Sequence, residues 1–357
     1  MDFSLSEEQE LLQETVRGFV QKECPAQTVR AVFDGAREDE ARLWRGLLEI
    51  GIGGLTVPER YGGAGLELLD LALVSEELGR GAVPVPFLGH SLACLAITLG
   101  GSEAQRERWL PQLAAGDALG TLALAESGSS WEPESWQTKL AAGRATGHKE
   151  FVPAGDTAQL AVIGCAGGEL ALVELGAAGA GPAPSPGLDH TRPHVALELR
   201  DAPAEPLASG TAGRLRDAGL VLLAADAFGA GQRLVRMSAE YAMTRQQFGQ
   251  PIAQFQAMKH QLADMAVEVD PTRGLWWYAA HAFDQALEDA PRAAALAKAH
   301  ITERAQQVAR DAVEAHGGLG FTWECDVQIW FKRIVYDRLF LGSPELHRER
   351  IAVLGGW

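Results

Sequence analysis

The residues best able to do chemistry lie in the string Tyr241-Ala-Met-Thr-Arg245-Gln-Gln-Phe248-Gly249-Gln-Pro251-Ile-Ala-Gln-Phe255-Gln256. Helical spacing puts Tyr241, Arg245 and Phe248 on one face, with Gly249 expected to end that helix and Pro251 to open the next. A guanidinium beside a helix start suits a phosphate, because both it and the backbone N–H groups donate to phosphoryl oxygens. The same arginine also suits a surface salt bridge, and spacing alone leaves both readings open. In Glu314-Ala-His316-Gly317-Gly318-Leu319-Gly320-Phe321, paired glycines either let a nucleotide approach the backbone or simply cap a helix. Asp226, alone in an apolar helix, reads as a buried, paired group, and Glu345 as a first-turn acid of the last helix. His190 and His194 flank Pro193 in a segment that reads as loop, without a third ligand, so a metal site is not expected. Trp276-Trp277-Tyr278 reads as core or interface packing.

The elements around these strings fall into three parts. Ser6-Glu7-Glu8-Gln9 is a capping box, followed by Leu12, Val16, Phe19 and Val20 on one helical face. Further helices are expected over 41–50 and 68–78, separated by Gly62-Gly63-Ala64-Gly65 and stopped by Pro84 and Pro86. From about residue 119 short apolar runs at 122–125, 160–163, 170–173 and 195–199 predict strands, with 176–186 as a surface loop. Beyond 211 helical periodicity returns, as in Leu220, Leu223, Ala227 and Phe228, or Ile301, Ala305, Val308 and Ala312. The fold class is therefore α+β multidomain: a helical domain over 1–118, strands forming a sheet or barrel over 119–210, and helices over 211–357.

The chain of 357 residues carries 31 Lys and Arg against 47 Asp and Glu, a formal charge of -16. Such a field repels phosphodiester backbones, so nucleic acid is not an expected partner. No uninterrupted apolar run suggests a membrane span, and the start lacks a basic and apolar leader. Cys24, Cys94, Cys165 and Cys325 are scattered, as in a reduced, cytoplasmic protein.

The Arg245 string resembles the R-x-x-F-G-x-P-I-x-x-F-Q signature of the acyl-CoA dehydrogenase family. Pro58-Glu59-Arg60-Tyr61-Gly62-Gly63-Ala64-Gly65-Leu66 is similar to its P-E-x-Y-G-G-x-G-L loop, and the 314–321 segment to its Q-x-x-G-G-x-G-[FY] motif. The resemblance spans essentially the whole chain. It implies an N-terminal helical domain, a middle β-barrel, a C-terminal four-helix bundle and an oligomer. It also implies FAD as cofactor, with Arg245, Phe248, Gln256, Glu314, Gly317 and Gly318 at the cofactor, partly across a subunit interface. Glu314 stands where the family has Gln. The implied substrate is an acyl-CoA, and the usual electron acceptor an electron-transferring flavoprotein.

The chain departs from the family where the chemistry occurs. The base normally sits in a Y-E-G triplet, and the matching residues are Phe340-Leu341-Gly342, so Leu341 replaces the glutamate. At the family's other base position Gly219 aligns, with Asp217 two residues away. The T-E-P-x-x-G-S-D loop matches Ala125-Glu126-Ser127-Gly128-Ser129 only in part. In Lys149-Glu150-Phe151-Val152-Pro153-Ala154-Gly155, Phe151 replaces a Trp and Pro153 the hydroxyl residue that bonds flavin N5. Two readings follow: the non-basic subunit of a heteromeric acyl-CoA dehydrogenase, completing the FAD site of a second chain of the family; or a self-sufficient homo-oligomer whose base has moved to Asp226, Asp217 or Glu345, which would then need a desolvated pocket and reach to the substrate proton.

Overall fold

The computed structural model describes residues 4–128 and 131–357. Six helices come first: α1 (Glu7–Glu23), α2 (Ala26–Phe33), α3 (Glu38–Glu49), α4 (Leu68–Arg80), α5 (Phe87–Gly100) and α6 (Glu103–Ala115). The capping box at Ser6 is formed, and a second one starts α6, where Ser102 and Gln105 exchange bonds.

Eight strands follow: β1 (Gly120–Ala123), β2 (Lys139–Ala141), β3 (Arg144–Pro153), β4 (Leu160–Cys165), β5 (Glu169–Glu174), β6 (Ala180–Pro184), β7 (His194–Pro203) and β8 (Glu205–Pro206). They form two four-stranded sheets, β1-β4-β5-β8 and β2-β3-β7-β6, rather than one closed barrel. Ala145, Val152, Leu197 and Leu199 of one sheet share a core with Ala123, Ile163 and Val173 of the other. The expected loop over 176–186 contains β6, at the edge of its sheet. Pro182 and Pro184 are tolerated there because an edge strand leaves half its N–H groups unpaired. His194, placed in a loop by the sequence, opens β7.

The chain then returns to helix: α7 (Thr211–Thr244), α8 (Gln256–Val269), α9 (Arg273–Asp284), α10 (Ala290–Ala315), α11 (Val327–Leu339) and α12 (Pro344–Leu354). Helix α10 packs against α8, α9, α11 and α12. Helix α7 is long and apolar enough to cross a membrane, yet 83% of its apolar window is buried within the protein, which marks a core helix.

By packing, the residues gather in two compact units, one of 1–36, 72–83 and 220–357, the other of 37–71 and 84–219. In the first unit α4 and α7 touch backbone to backbone. A β-carbon added at Gly79 would lie 2.1 Å from the Asp226 carbonyl oxygen, and one at Gly229 2.0 Å from that of Glu76. In the second unit His90 ties three segments together: its Nε2–H donates to the Gly53 carbonyl at 3.0 Å and its Nδ1 accepts from the Gly120 N–H at 3.3 Å.

Candidate functional site

The sequence expected Tyr241, Arg245 and Phe248 on one helix, with Pro251 opening the next. Instead α7 stops at Thr244, and Gln246–Gln247 (β9) pairs antiparallel with Gln250–Pro251 (β10). Phe248 and Gly249 form the tip of this hairpin with φ of +54° and +79°, the backbone of a type I′ turn. A single 3₁₀ turn, Ile252–Gln254, then leads into α8 at Gln256. No side chain caps the first turn of α8, so its N–H groups are open to an outside acceptor. Arg245 is exposed, and among the described residues its guanidinium pairs with no carboxylate. The surface-salt-bridge reading therefore has no partner here.

The second string comes to the same neighbourhood. The ring of Tyr241, near the end of α7, stacks on His316 at the end of α10, with centroids 4.4 Å apart and planes 23° from parallel. Gly317, at φ +60°, and Gly318 follow at once, exposed, with nothing within 4 Å of where a β-carbon would stand. The pair follows the end of α10, as a helix cap would, and leaves bare, exposed backbone. Glu314 is exposed in the last turn of α10. Phe248 is 92% exposed and Phe321 79%, which leaves two aromatic rings on this surface. Unpaired guanidinium, uncapped helix start and open glycines fit the phosphate-bearing half of a dinucleotide.

The position of the missing base is differently built. Leu341 is 1% exposed and holds a left-handed φ of +60°, unusual for leucine. His347 Nε2 contacts the Leu341 carbonyl at 3.0 Å. Lys298, fully buried on α10, donates to the carbonyls of Gly342 at 2.9 Å and Arg338 at 3.1 Å. Burial pulls the Lys298 pKa down to about 7, only partly offset by Asp337. The sequence did not single out Lys298; its apolar neighbours Ala294, Ala295, Ala297 and Ile301 were the available signal that it lies on a buried face.

Of the three acids, Asp226 is held by Arg333 in a two-pronged pair, both bonds 2.8 Å and both side chains 2% exposed. Glu345 lies in the first turn of α12, 61% exposed and 2.7 Å from Arg338. Its hydrogen bond with Ser343 and its own helix-start N–H hold its pKa below the usual range. Asp217 is buried on α7, with Arg216 Nε 3.7 Å away. The structure thus does not gather the three acids into one site.

In the sandwich, Glu126 accepts from Lys149 Nζ at 2.6 Å, from Thr138 N and Oγ1 at 2.9 and 2.7 Å, and from Gln137 N at 2.6 Å. Burial alone would raise its carboxyl, but these donors outweigh that and lower it. Ser129, the end of the partial loop match, lies outside the described residues. Phe151, at φ +54°, is sandwiched between Trp131, 6.2 Å away, and His194, 5.3 Å away. The Pro153 carbonyl accepts from Thr121 Oγ1. Proline offers no hydroxyl, and its carbonyl is already engaged, so the flavin-side half fits less well than the phosphate side.

Residues 6–117 match the model of the acyl-CoA dehydrogenase N-terminal domain, and 217–353 that of its C-terminal domain. The acyl-CoA dehydrogenase IpdE2 of Mycolicibacterium smegmatis is 35% identical over 97% of this chain and 98% of its own length. The ChsE4-ChsE5 complex of Mycobacterium tuberculosis contains a chain with a TM-score of 0.89 and 26% identity, covering 100% of this chain and 99% of that one. A variant of the Tcur3481-Tcur3483 steroid ACAD gives a TM-score of 0.91 at 29% identity, covering 99% of each chain.

Proposed function

Because this chain belongs to the acyl-CoA dehydrogenase family, FAD-dependent oxidoreductases of the CH–CH bond of acyl-CoA thioesters, we propose that it is the non-basic subunit of a heteromeric acyl-CoA dehydrogenase, completing the FAD site of a second, base-bearing chain. The observation that carries this is the contrast between Leu341 and Arg245. An apolar, buried leucine stands where the resemblance puts the base, while the cofactor-side arginine is exposed and, among the described residues, pairs with no carboxylate. Leucine cannot take a proton, whereas Arg245 offers its donors outward to a ligand held by another chain.

In this reading Arg245 and the open first turn of α8 at Gln256 bind the pyrophosphate, and Gly317 and Gly318 let the adenosine portion lie against backbone. Phe248 and Glu314 flank that contact. Bound FAD supplies the hydride acceptor. Two of the solved structures it resembles are named as pairs of chains, and one of these as a steroid enzyme. We extend that to this chain as a bulky, sterol-derived acyl-CoA substrate, with an electron-transferring flavoprotein as acceptor.

The test is flavin stoichiometry. The chain should be colourless when purified alone and should gain FAD when co-expressed with a family member carrying the glutamate, with acyl-CoA bleaching the complex. Activity of that complex should survive Glu345→Gln and Asp217→Asn in this chain. A yellow protein obtained alone, bleached by acyl-CoA and inactivated by Asp217→Asn, would overturn the proposal and establish a self-sufficient enzyme with a moved base.

A further inference from the structure

A cleft of about 240 Å³ opens in the first compact unit among α1, α2, α4, α7 and α11. Four guanidinium groups line it, those of Arg17, Arg80, Arg233 and Arg236, against one carboxylate, Glu77. That concentration of positive charge stands out on a chain whose formal charge is -16.

Two of the arginines are fixed from behind by acids that are 1% exposed. Arg17 donates to Glu77 through Nε at 3.2 Å and Nη2 at 2.8 Å. Arg80 donates to Glu76 at 2.6 Å, with its Nε 3.3 Å from Glu77. Arg273 bridges to Glu76 from the other side at 3.2 Å. The buried carboxylates hold these guanidiniums in place, so little side-chain freedom remains to be lost when a ligand arrives.

The other two lack such compensation. Arg236, 75% exposed, donates to Glu240 one helical turn on, at 2.9 Å. Arg233, 29% exposed, has only the far oxygen of Glu240 at 3.9 Å, too long for a hydrogen bond, and among the described residues it donates none. Its guanidinium carbon lies 5.7 Å from the Trp330 ring, whose own Nε1–H is used on the Arg80 carbonyl at 3.0 Å. Burial pulls the Arg233 pKa down, and Glu240 and Asp326 only partly restore it. A half-buried cation with no hydrogen-bonded acceptor is a costly arrangement that a bound anion would relieve.

We infer that this cleft binds a small phosphorylated molecule, its phosphoryl group seated between Arg233 and Arg236. Charge selects the ligand class. With Arg273 counted as the further partner of Glu76, five arginines stand against Glu76, Glu77 and Glu240, an excess of two positive charges. A phosphate monoester carries roughly -1.5 to -2 at neutral pH and presents oxygens that match the guanidinium fork. The cleft volume equals that of roughly eight waters, at about 30 Å³ each, enough for a phosphoryl group with a small organic remainder. It is lined by residues other than Arg245, Gln256, Gly317 and Gly318, so it is distinct from the proposed cofactor contacts.

The experiment is calorimetric titration of the co-expressed, FAD-loaded complex with inorganic phosphate in chloride buffer of constant ionic strength. One saturable site per chain is expected. Arg233→Ala and Arg236→Ala should each weaken binding roughly tenfold or more, the effect of losing one charge-assisted bond. Arg245→Ala should leave this binding unchanged, and succinate should bind at least about tenfold more weakly than phosphate. Absence of saturable binding, binding untouched by Arg236→Ala, or binding abolished by Arg245→Ala would each overturn the assignment. So would succinate binding as tightly as phosphate. Arg236 is exposed enough that its variant should fold, so the test stands even if Arg233→Ala does not.

Discussion

Arg333 on α11 grips Asp226 on α7 with two parallel hydrogen bonds of 2.8 Å, across 107 residues of sequence and almost out of contact with water. Arg333 also donates to the Val83 carbonyl at 3.1 Å, so one guanidinium ties α7, α11 and the chain just after α4. An acid held this way would have to abandon its cation to act as a base, which assigns Asp226 to architecture.

Asp226→Ala should therefore cost about 3–5 kcal/mol of stability, because it strands a buried guanidinium. The double variant Asp226→Leu with Arg333→Met should recover much of that loss. Urea denaturation of the single and double variants measures both. A single variant within about 0.5 kcal/mol of wild type would contradict the structural role.

Arg245→Ala should behave in the opposite way. Its guanidinium supports no ion pair among the described residues, so thermal stability of the flavin-free chain should change by less than about 0.5 kcal/mol. FAD affinity of the assembled complex should fall roughly tenfold or more, as a charge-assisted bond to phosphate is lost. Flavin release by equilibrium dialysis, beside a melting curve, separates the two effects.

Lys298 predicts a pH dependence at the turn that carries Leu341. Its folded pKa of about 7 lies below the unfolded value near 10.5, so between these limits the unfolded chain binds the extra proton. Stability relative to the non-titrating Lys298→Met should then rise as pH increases from about 7 toward 10.5, by about 1.4 kcal/mol per unit. Below pH 7 the difference should level off. Paired denaturation curves at pH 6, 7, 8 and 9 would show the slope, and a flat difference would place the charge elsewhere.

His90 should set an acid limb. Burial holds its imidazole at about pKa 4, against 6.5 unfolded. Its neutral form is the one that both accepts from Gly120 and donates to Gly53. Stability relative to His90→Gln should be intact above about pH 6.5 and fall by about 1.4 kcal/mol per unit as pH drops toward 4. The same paired denaturation curves, taken from pH 7 to 4, give the result.

The sequence by itself determined the family, the order helices–strands–helices, and that a leucine, Leu341, stands where the resemblance puts the base. These rest on local signals: motif spacing, short apolar runs along β4 and β5, capping boxes, and residue identity at one position. Arg245 with Gln256, and Gly317 with Gly318, stand in two separate motifs, and their role at the cofactor belongs to the proposal. Only the tertiary structure decided that Arg245 follows a helix end and precedes a hairpin with a two-residue turn, since a left-handed φ at Phe248 runs against that residue's local preference. Only it separated Asp226 from Glu345, because burial and a partner 107 residues away leave no mark on a local pattern. Lys298 and the arginine cleft were equally hidden. A lysine in an alanine-rich helix and four scattered arginines look like solvated charge until packing brings Gly342, Glu77 and Trp330 against them. What depends on neighbours along the chain is legible in the sequence; what depends on desolvation by distant segments is set only when the chain folds.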